Sequence, residues 1–251
     1  MAGHSKWANI KHRKGAQDAK RAKMFTKVLR EINIAVRQGG PDPESNPALR
    51  RAIANARGVN MPKDNIQRAI KKASGKDAEN YQEVTFEGYG PYGIAFIIET
   101  ATDNTNRTVG IIRSIFNKNG GELGKTGSLE YVFDRKGVFT IEKEKTAGMD
   151  PEELEMELID GGAEDIETDD EFITVYTDYK DFGLMASKLE ELGIEVKNAG
   201  LQRIPKTTKT LPLDQAEKIL KLAEKFEDED DVQNVYHNLE LTDELMEKLN
   251  L

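Results

Sequence analysis

The spacing of apolar residues changes once along this chain, near Tyr81, and that change limits the folds open to it. Before it, apolar positions recur at helical spacing; after it, short runs of strand length alternate with amphipathic helices. From about Gln17 to Gln38, Phe25, Val28, Leu29, Ile32 and Val36 fall at i, i+3, i+4, i+7 and i+11, one stripe at about 100° per residue. Gly39 and Gly40 stop this helix. A second opens with Asn46 as N-cap and Pro47 at its first position, and buries Leu49, Ala52, Ile53 and Ala56. A third starts near Pro62, buries Ile66, Ala69, Ile70 and Ala73, and ends at Gly75. Three short helices joined by short loops predict a small bundle.

Beyond Tyr81, Val84 to Phe86 and Ile94 to Ile98 read as strands around a glycine-rich turn. A helix follows from about Thr105 to Lys118, and Ser128 to Phe133 reads as a further strand. The next segments are strand Val138–Glu142, helix Pro151–Asp160, strands Asp165–Thr168 and Phe172–Thr177, helix Phe182–Leu192 and strand Ile194–Asn198. That is the ferredoxin-like order. The tail adds a helix, Leu213 to Phe226, and a strand, Val232 to His237, which complete the unit begun at Tyr81. The predicted fold class is α+β: an N-terminal three-helix domain followed by two α+β domains, one ferredoxin-like and inserted into the other. The expected divisions are residues 1–79, residues 80–133 with 206–251, and residues 134–205.

Charge follows the same division. Residues 1–76 carry 18 Lys+Arg against 5 Asp+Glu, a net +13, whereas residues 77–251 carry 18 against 40, a net −22. Such asymmetry describes either a polyanion-binding module on an acidic body or two parts that attract each other. On the first helix Lys20, Lys23, Lys27 and Arg30 fall opposite the apolar stripe. Residues 1–15 show no helical period and read as an arm. The lone tryptophan, Trp7, sits there between Lys6 and Lys11. Its indole either stacks on an unpaired base while the lysines hold phosphates, or folds back on the bundle. The candidate nucleic-acid-binding residues are therefore Lys6, Trp7, Lys11, His12, Arg13, Lys14, Lys20, Arg21, Lys23, Lys27 and Arg30. A secondary contact is expected at Asn104, Asn106, Arg107 and Thr108, where amide and hydroxyl side chains flank an Arg at a helix start. Asp103 or Asn104 there serves equally as a plain N-cap.

Other chemistry finds little support. The chain has no cysteine, which removes disulfides, thiolate metal sites and cysteine nucleophiles and suits a reducing compartment. No apolar run approaches the ~20 residues of a membrane span, and the N-terminus lacks the apolar core of a secretory signal; a cytoplasmic protein without membrane partners is expected. Gly88, Gly90 and Gly93 match G-x-G-x-x-G, but a strand follows where a dinucleotide site needs a helix, so they read as a hairpin loop. Gly124-Lys125-Thr126 misses the phosphate-loop register by one residue and reads as an exposed loop. His4, His12 and His237 lack metal-ligand spacing, and the run Glu227 to Asp231 reads as a solvated turn. No catalytic residue, cofactor or metal is expected.

The segments MAGHSKWANIKHRKGAQDAKRAKMFTK, NPALRRAIANARGVNMPKDNIQRAI, EGYGPYGIAF, TDNTNRT, FNKNGGELGKTGSLEYVF and DDVQNVYHN closely resemble the YebC/PmpR family. That family includes the mitochondrial translational activator of cytochrome c oxidase subunit I. Thr105 stands where the family's loop carries a basic residue. The resemblance implies a three-domain protein without catalytic activity. It also implies a cytoplasmic, DNA-binding transcriptional regulator, or a translation factor that binds ribosomes or mRNA and relieves stalls at proline-rich stretches. The residues leave three functions open: a DNA-binding regulator, an RNA- or ribosome-binding factor, and an adaptor whose basic module meets an acidic protein.

Overall fold

The computed structural model describes residues 18–248, with side chains from residue 22 onward. Its first helix, α1 (Asp18–Gly39), buries Val28, Ile32, Ala35 and Val36, with Phe25 packed beside them. Leu29, expected in that stripe, is 38% exposed. Ala35, three residues after Ile32 as Leu29 is three before it, is buried instead. Gly40, at φ 88°, turns the chain out of α1. Asn46 then joins this end to α2 (Pro47–Gly58). Its Oδ1 accepts the Leu49 N–H at 3.0 Å, while Nδ2 donates to the carbonyls of Ala35 and Gly40, both at 2.8 Å. One amide thereby caps one helix and closes the end of another. Helix α3 (Lys63–Ala73) adds Ile66 and Ala73 to the same core as Leu49, Ala52, Ala56 and Met61.

The chain continues through β1 (Gln82–Tyr89), β2 (Ala95–Thr102), α4 (Thr105–Lys118), β3 (Glu122–Leu123) and β4 (Phe133–Glu142). Then come α5 (Pro151–Asp160), β5 (Ala163–Thr168), β6 (Phe172–Asp178), α6 (Phe182–Glu191) and β7 (Asn198–Pro205). It closes with α7 (Leu213–Glu227), β8 (Val232–His237) and α8 (Asp243–Lys248). The two sheets have strand orders β3-β1-β2-β8 and β5-β6-β4-β7. The protein is thus α+β, with three helices followed by two sheet-bearing domains; the second sheet has the ferredoxin-like order and its domain is inserted into the first.

In the first sheet β1 and β2 pair antiparallel from Gln82↔Thr102 to Tyr89↔Ala95, and β8 pairs antiparallel with β2 on its other side. Ile94, Phe96 and Ile98 pack against Ile112 and Phe116 of α4 and Ile219 and Phe226 of α7. Ala95 and Ile97 face the opposite side, where Leu129, Phe133 and Tyr236 lie. A strand buried on both faces needs an unbroken apolar run, which Ile94–Ile98 supplies.

Two strand limits differ from expectation. Ser128 to Val132 form turns, and β4 begins at Phe133. The buried carboxylate of Glu87 explains this: it accepts the N–H groups of Gly127 and Leu129 at 2.8 and 2.7 Å, donors that a strand would have given to a neighbour. The last ferredoxin-like strand begins at Asn198 rather than at Ile194. Gly193, at φ 67°, ends α6 with bonds from its own N–H to Glu190 and from Ile194 N–H to Leu189. Ile194 is the apolar residue that this helix ending folds back onto the core, 5% exposed.

The described chain forms two compact units. One joins Glu79–Asp134 to the chain from Arg203 onward; the other joins Asp18–Ala78 to Arg135–Gln202. Within the latter, α2 passes so near the chain leading into β7 that a Cβ on Gly58 would lie 1.9 Å from the Lys197 carbonyl oxygen.

Candidate nucleic-acid interface

Five of the expected binding residues, Lys20, Arg21, Lys23, Lys27 and Arg30, ride on α1. Lys6, Trp7, Lys11, His12, Arg13 and Lys14 lie outside the described residues. Lys23, Lys27 and Arg30 are each half-buried and make contacts of their own. The same bundle exposes Arg57, Lys63 and Lys71, the last in the final turn of α3, where the helix dipole favours a cation. Arg50 is committed locally, donating to the carbonyls of Pro43 and Glu44 at 2.8 Å each. The Arg51 guanidinium lies 5.8 Å from the centre of the Phe182 ring. The bundle surface is cationic and offers little amide chemistry: Asn33, Asn46 and Asn55 are all buried. That chemistry holds phosphates without reading bases.

The loop entering α4, where a phosphate contact is expected, is held by its own hydrogen bonds. Asn104 is the N-cap, its Oδ1 accepting the Arg107 N–H at 3.0 Å. Thr108 is 2% exposed and its hydroxyl donates to Asp231 Oδ2 at 2.7 Å. Thr102 Oγ1 and Arg107 Nη2 donate to the same oxygen at 3.1 and 2.8 Å, and Arg107 Nη2 also reaches Asp103 at 2.8 Å. Thr108 is therefore enclosed by internal bonds, whereas Asn104, Asn106 and Arg107 are exposed, Asn104 and Arg107 while also bonding within the protein. Two carboxylates already neutralise Arg107, which stays firmly protonated through its bonds to Asp231 and Asp103. Burial pushes the Asp231 carboxyl up, but the bonds from Arg107, Thr108 and Thr102 outweigh burial and hold it below its ordinary value. Asp231 is thus no part of a solvated acidic turn. It staples the start of β8 to the start of α4, and the one signal for this in sequence is its place directly before the apolar Val232.

The remaining motifs resolve into packing. A Cβ on Gly88 would meet the Glu122 carbonyl at 2.5 Å and the Phe116 ring at 2.8 Å, so this glycine admits β3 and α4. His237 is 2% exposed, its ring 5.8 Å from that of Phe96. Among the described residues no group of three His, Asp or Glu side chains could hold a metal ion, and no helix is long and apolar enough to cross a membrane.

Comparison with known proteins covers both parts of the chain. The model for the TACO1/YebC protein N-terminal domain matches residues 5–76, and that for the TACO1/YebC second and third domain matches residues 81–239. A probable transcriptional regulatory protein of Persephonella marina is 49% identical over the full length of both chains. One from Treponema denticola is 51% identical over 96% of this chain and 97% of its own. The crystal structure of a conserved hypothetical protein from Aquifex aeolicus superposes with a TM-score of 0.81 at 40% identity, over 91% of this chain and 94% of that one. With a helical bundle and two sheet domains matched along nearly the whole length, the chain belongs to the TACO1/YebC family.

Proposed function

We propose that this protein is a cytoplasmic, non-catalytic, nucleic-acid-binding regulator of gene expression, and that residues 1–79 are its binding module. The observation that carries this is α1: a helix with a buried stripe on one side and Lys23, Lys27 and Arg30 on the other, in a segment, residues 1–76, of net +13 on a chain of net −9. Residues 80–133 with 206–251, and 134–205, carry the net negative charge of the chain. The relatives named as probable transcriptional regulatory proteins support a DNA target. One observation favours an RNA or ribosomal target instead. On the described part of the bundle helices, the cations come with few amides for base readout: Gln38 and Gln67 are exposed and Asn65 is half-buried.

The test is the triple variant Lys20→Glu, Lys23→Glu, Lys27→Glu, titrated against duplex DNA and RNA at several salt concentrations. Binding is expected to be lost, and any residual salt dependence to fall by about 0.9 log units for each phosphate no longer neutralised on B-DNA. Unchanged binding overturns the proposal in favour of an adaptor for an acidic protein. Crosslinking in cells followed by sequencing of the bound DNA and RNA separates the two targets.

A further inference from the structure

The hairpin between β1 and β2 ends in Gly90-Pro91-Tyr92-Gly93, a turn that the binding module does not use. Tyr92 lies in the left-handed region at φ 61°, ψ 14°, one of two non-glycine residues with positive φ among those described; the other is Asn60. Asparagine enters that region readily, whereas a tyrosine there is strained. The surroundings hold the strain in place. Lys209 Nζ donates to the Tyr92 carbonyl at 2.6 Å, and Lys218 Nζ donates to its hydroxyl at 3.3 Å while lying 5.9 Å from the ring centre. The ring does not repay this by packing: it is 37% exposed and belongs to no core cluster.

The charge around it is equally out of character. Residues 205–225 carry five Lys against three Asp+Glu, a net +2, within the part of the chain whose total is −22. On α7, Lys218, Lys221 and Lys225 follow at i, i+3 and i+7, so they share one face, and all three are exposed. Glu217 on the same helix is taken by Lys248 at 2.6 Å.

We propose that this hairpin tip is a second binding surface, for an unpaired nucleic-acid strand, with the Tyr92 ring stacking on a base and Lys209 and the α7 lysines facing its phosphates. A small anion or a lipid headgroup would use the lysines alone. An exposed ring among cations matches a strand whose base faces are open, as those of a duplex are not. The inference rests on the reading that this protein binds nucleic acid, and it adds a surface outside residues 1–79.

The full-length protein is crosslinked by light to a 12-nucleotide strand carrying 5-bromouracil, in ribose and deoxyribose forms, and the adducts are mapped by mass spectrometry. An adduct on Tyr92 is expected, and the stronger of the two forms identifies the source of the strand. Tyr92→Asn keeps a residue that tolerates the backbone and removes the ring; strand affinity should fall about 5- to 100-fold with duplex affinity unchanged. Lys218→Glu with Lys221→Glu should lower the salt dependence of strand binding by about 0.7 log units for each phosphate no longer neutralised. Adducts confined to residues 1–79, with Tyr92→Asn binding as the parent does, overturn this inference and leave the basic module standing. Absence of binding to any strand or duplex overturns the nucleic-acid reading itself, and this surface with it.

Discussion

The side-chain amide of Asn55 is paired on both sides with the backbone of Ala199: Oδ1 accepts the Ala199 N–H at 2.8 Å and Nδ2 donates to its carbonyl at 3.0 Å. Ala199 lies on β7, an edge of its sheet, and both of its backbone groups point to α2. A helical side chain thus supplies what a further strand would have supplied, and the open edge is partly closed. Glu31 of α1 accepts from the same Nδ2 at 3.1 Å, so one buried amide ties α1, α2 and β7 together.

Replacing Asn55 by Ala removes the bond to Glu31 and both bonds to Ala199, and leaves the N–H and carbonyl of Ala199 buried without these partners. The expected loss is about 2–4 kcal/mol, from the hydrogen bonds removed and the desolvation of the groups left behind. Urea unfolding followed by circular dichroism measures it; a midpoint equal to that of the parent would contradict the role given to this amide.

Asp231 makes stability depend on acid. Its folded-state carboxyl is held below the ordinary value, so its contribution is present above the unfolded value of about 3.9 and is lost as pH falls through the lowered one. Asp231→Asn removes the charge that Arg107, Thr108 and Thr102 address and should cost about 1.5–3 kcal/mol at neutral pH. The gap between parent and variant should narrow below about pH 4. Thermal unfolding from pH 7 down to pH 3 checks both, and a gap that stays constant would argue against the carboxylate as its source.

Glu87 makes a local prediction. Its carboxylate fixes the turn from Gly124 to Leu129, with Lys125 exposed beside it and Leu129 fully buried. Glu87→Ala frees the N–H groups of Gly127 and Leu129; that of Leu129 is buried, and stranding it costs about 1–3 kcal/mol. Trypsin should then cut after Lys125 well before the rest of the chain, because cleavage follows local opening. Equal digestion of parent and variant at that bond would show that the turn holds without the carboxylate.

Much of the fold is legible in the sequence because its signals are local. The helical period marks α1 to α3, Asn46-Pro47 marks a helix start, and the run Ile94–Ile98 marks a strand covered on both faces. The expectation that the tail returns to the earlier sheet agrees with the pairing of β8 and β2. The differences fall where a distant group overrides the local pattern. Ser128 to Val132 have the pattern of a strand, but Glu87, some forty residues earlier, takes the amides. Asp231 has the pattern of a solvated acid because its partners lie more than 120 positions away.

The candidate site divides in the same way. Sequence alone determined that the cations gather in residues 1–76 and that α1 sets them opposite a buried stripe, because charge count and helical rotation need no knowledge of partners. Only the tertiary structure decided that Thr108 turns inward to Asp231 and that the exposed Arg107 pairs with the same carboxylate, that Asn55 joins a helix to a sheet edge 144 positions on, and that Tyr92 is held strained and exposed between two lysines. Each of these depends on which polar group meets which across the fold, and a buried donor or acceptor is satisfied by whatever the packing brings within about 3 Å, however far along the chain it lies.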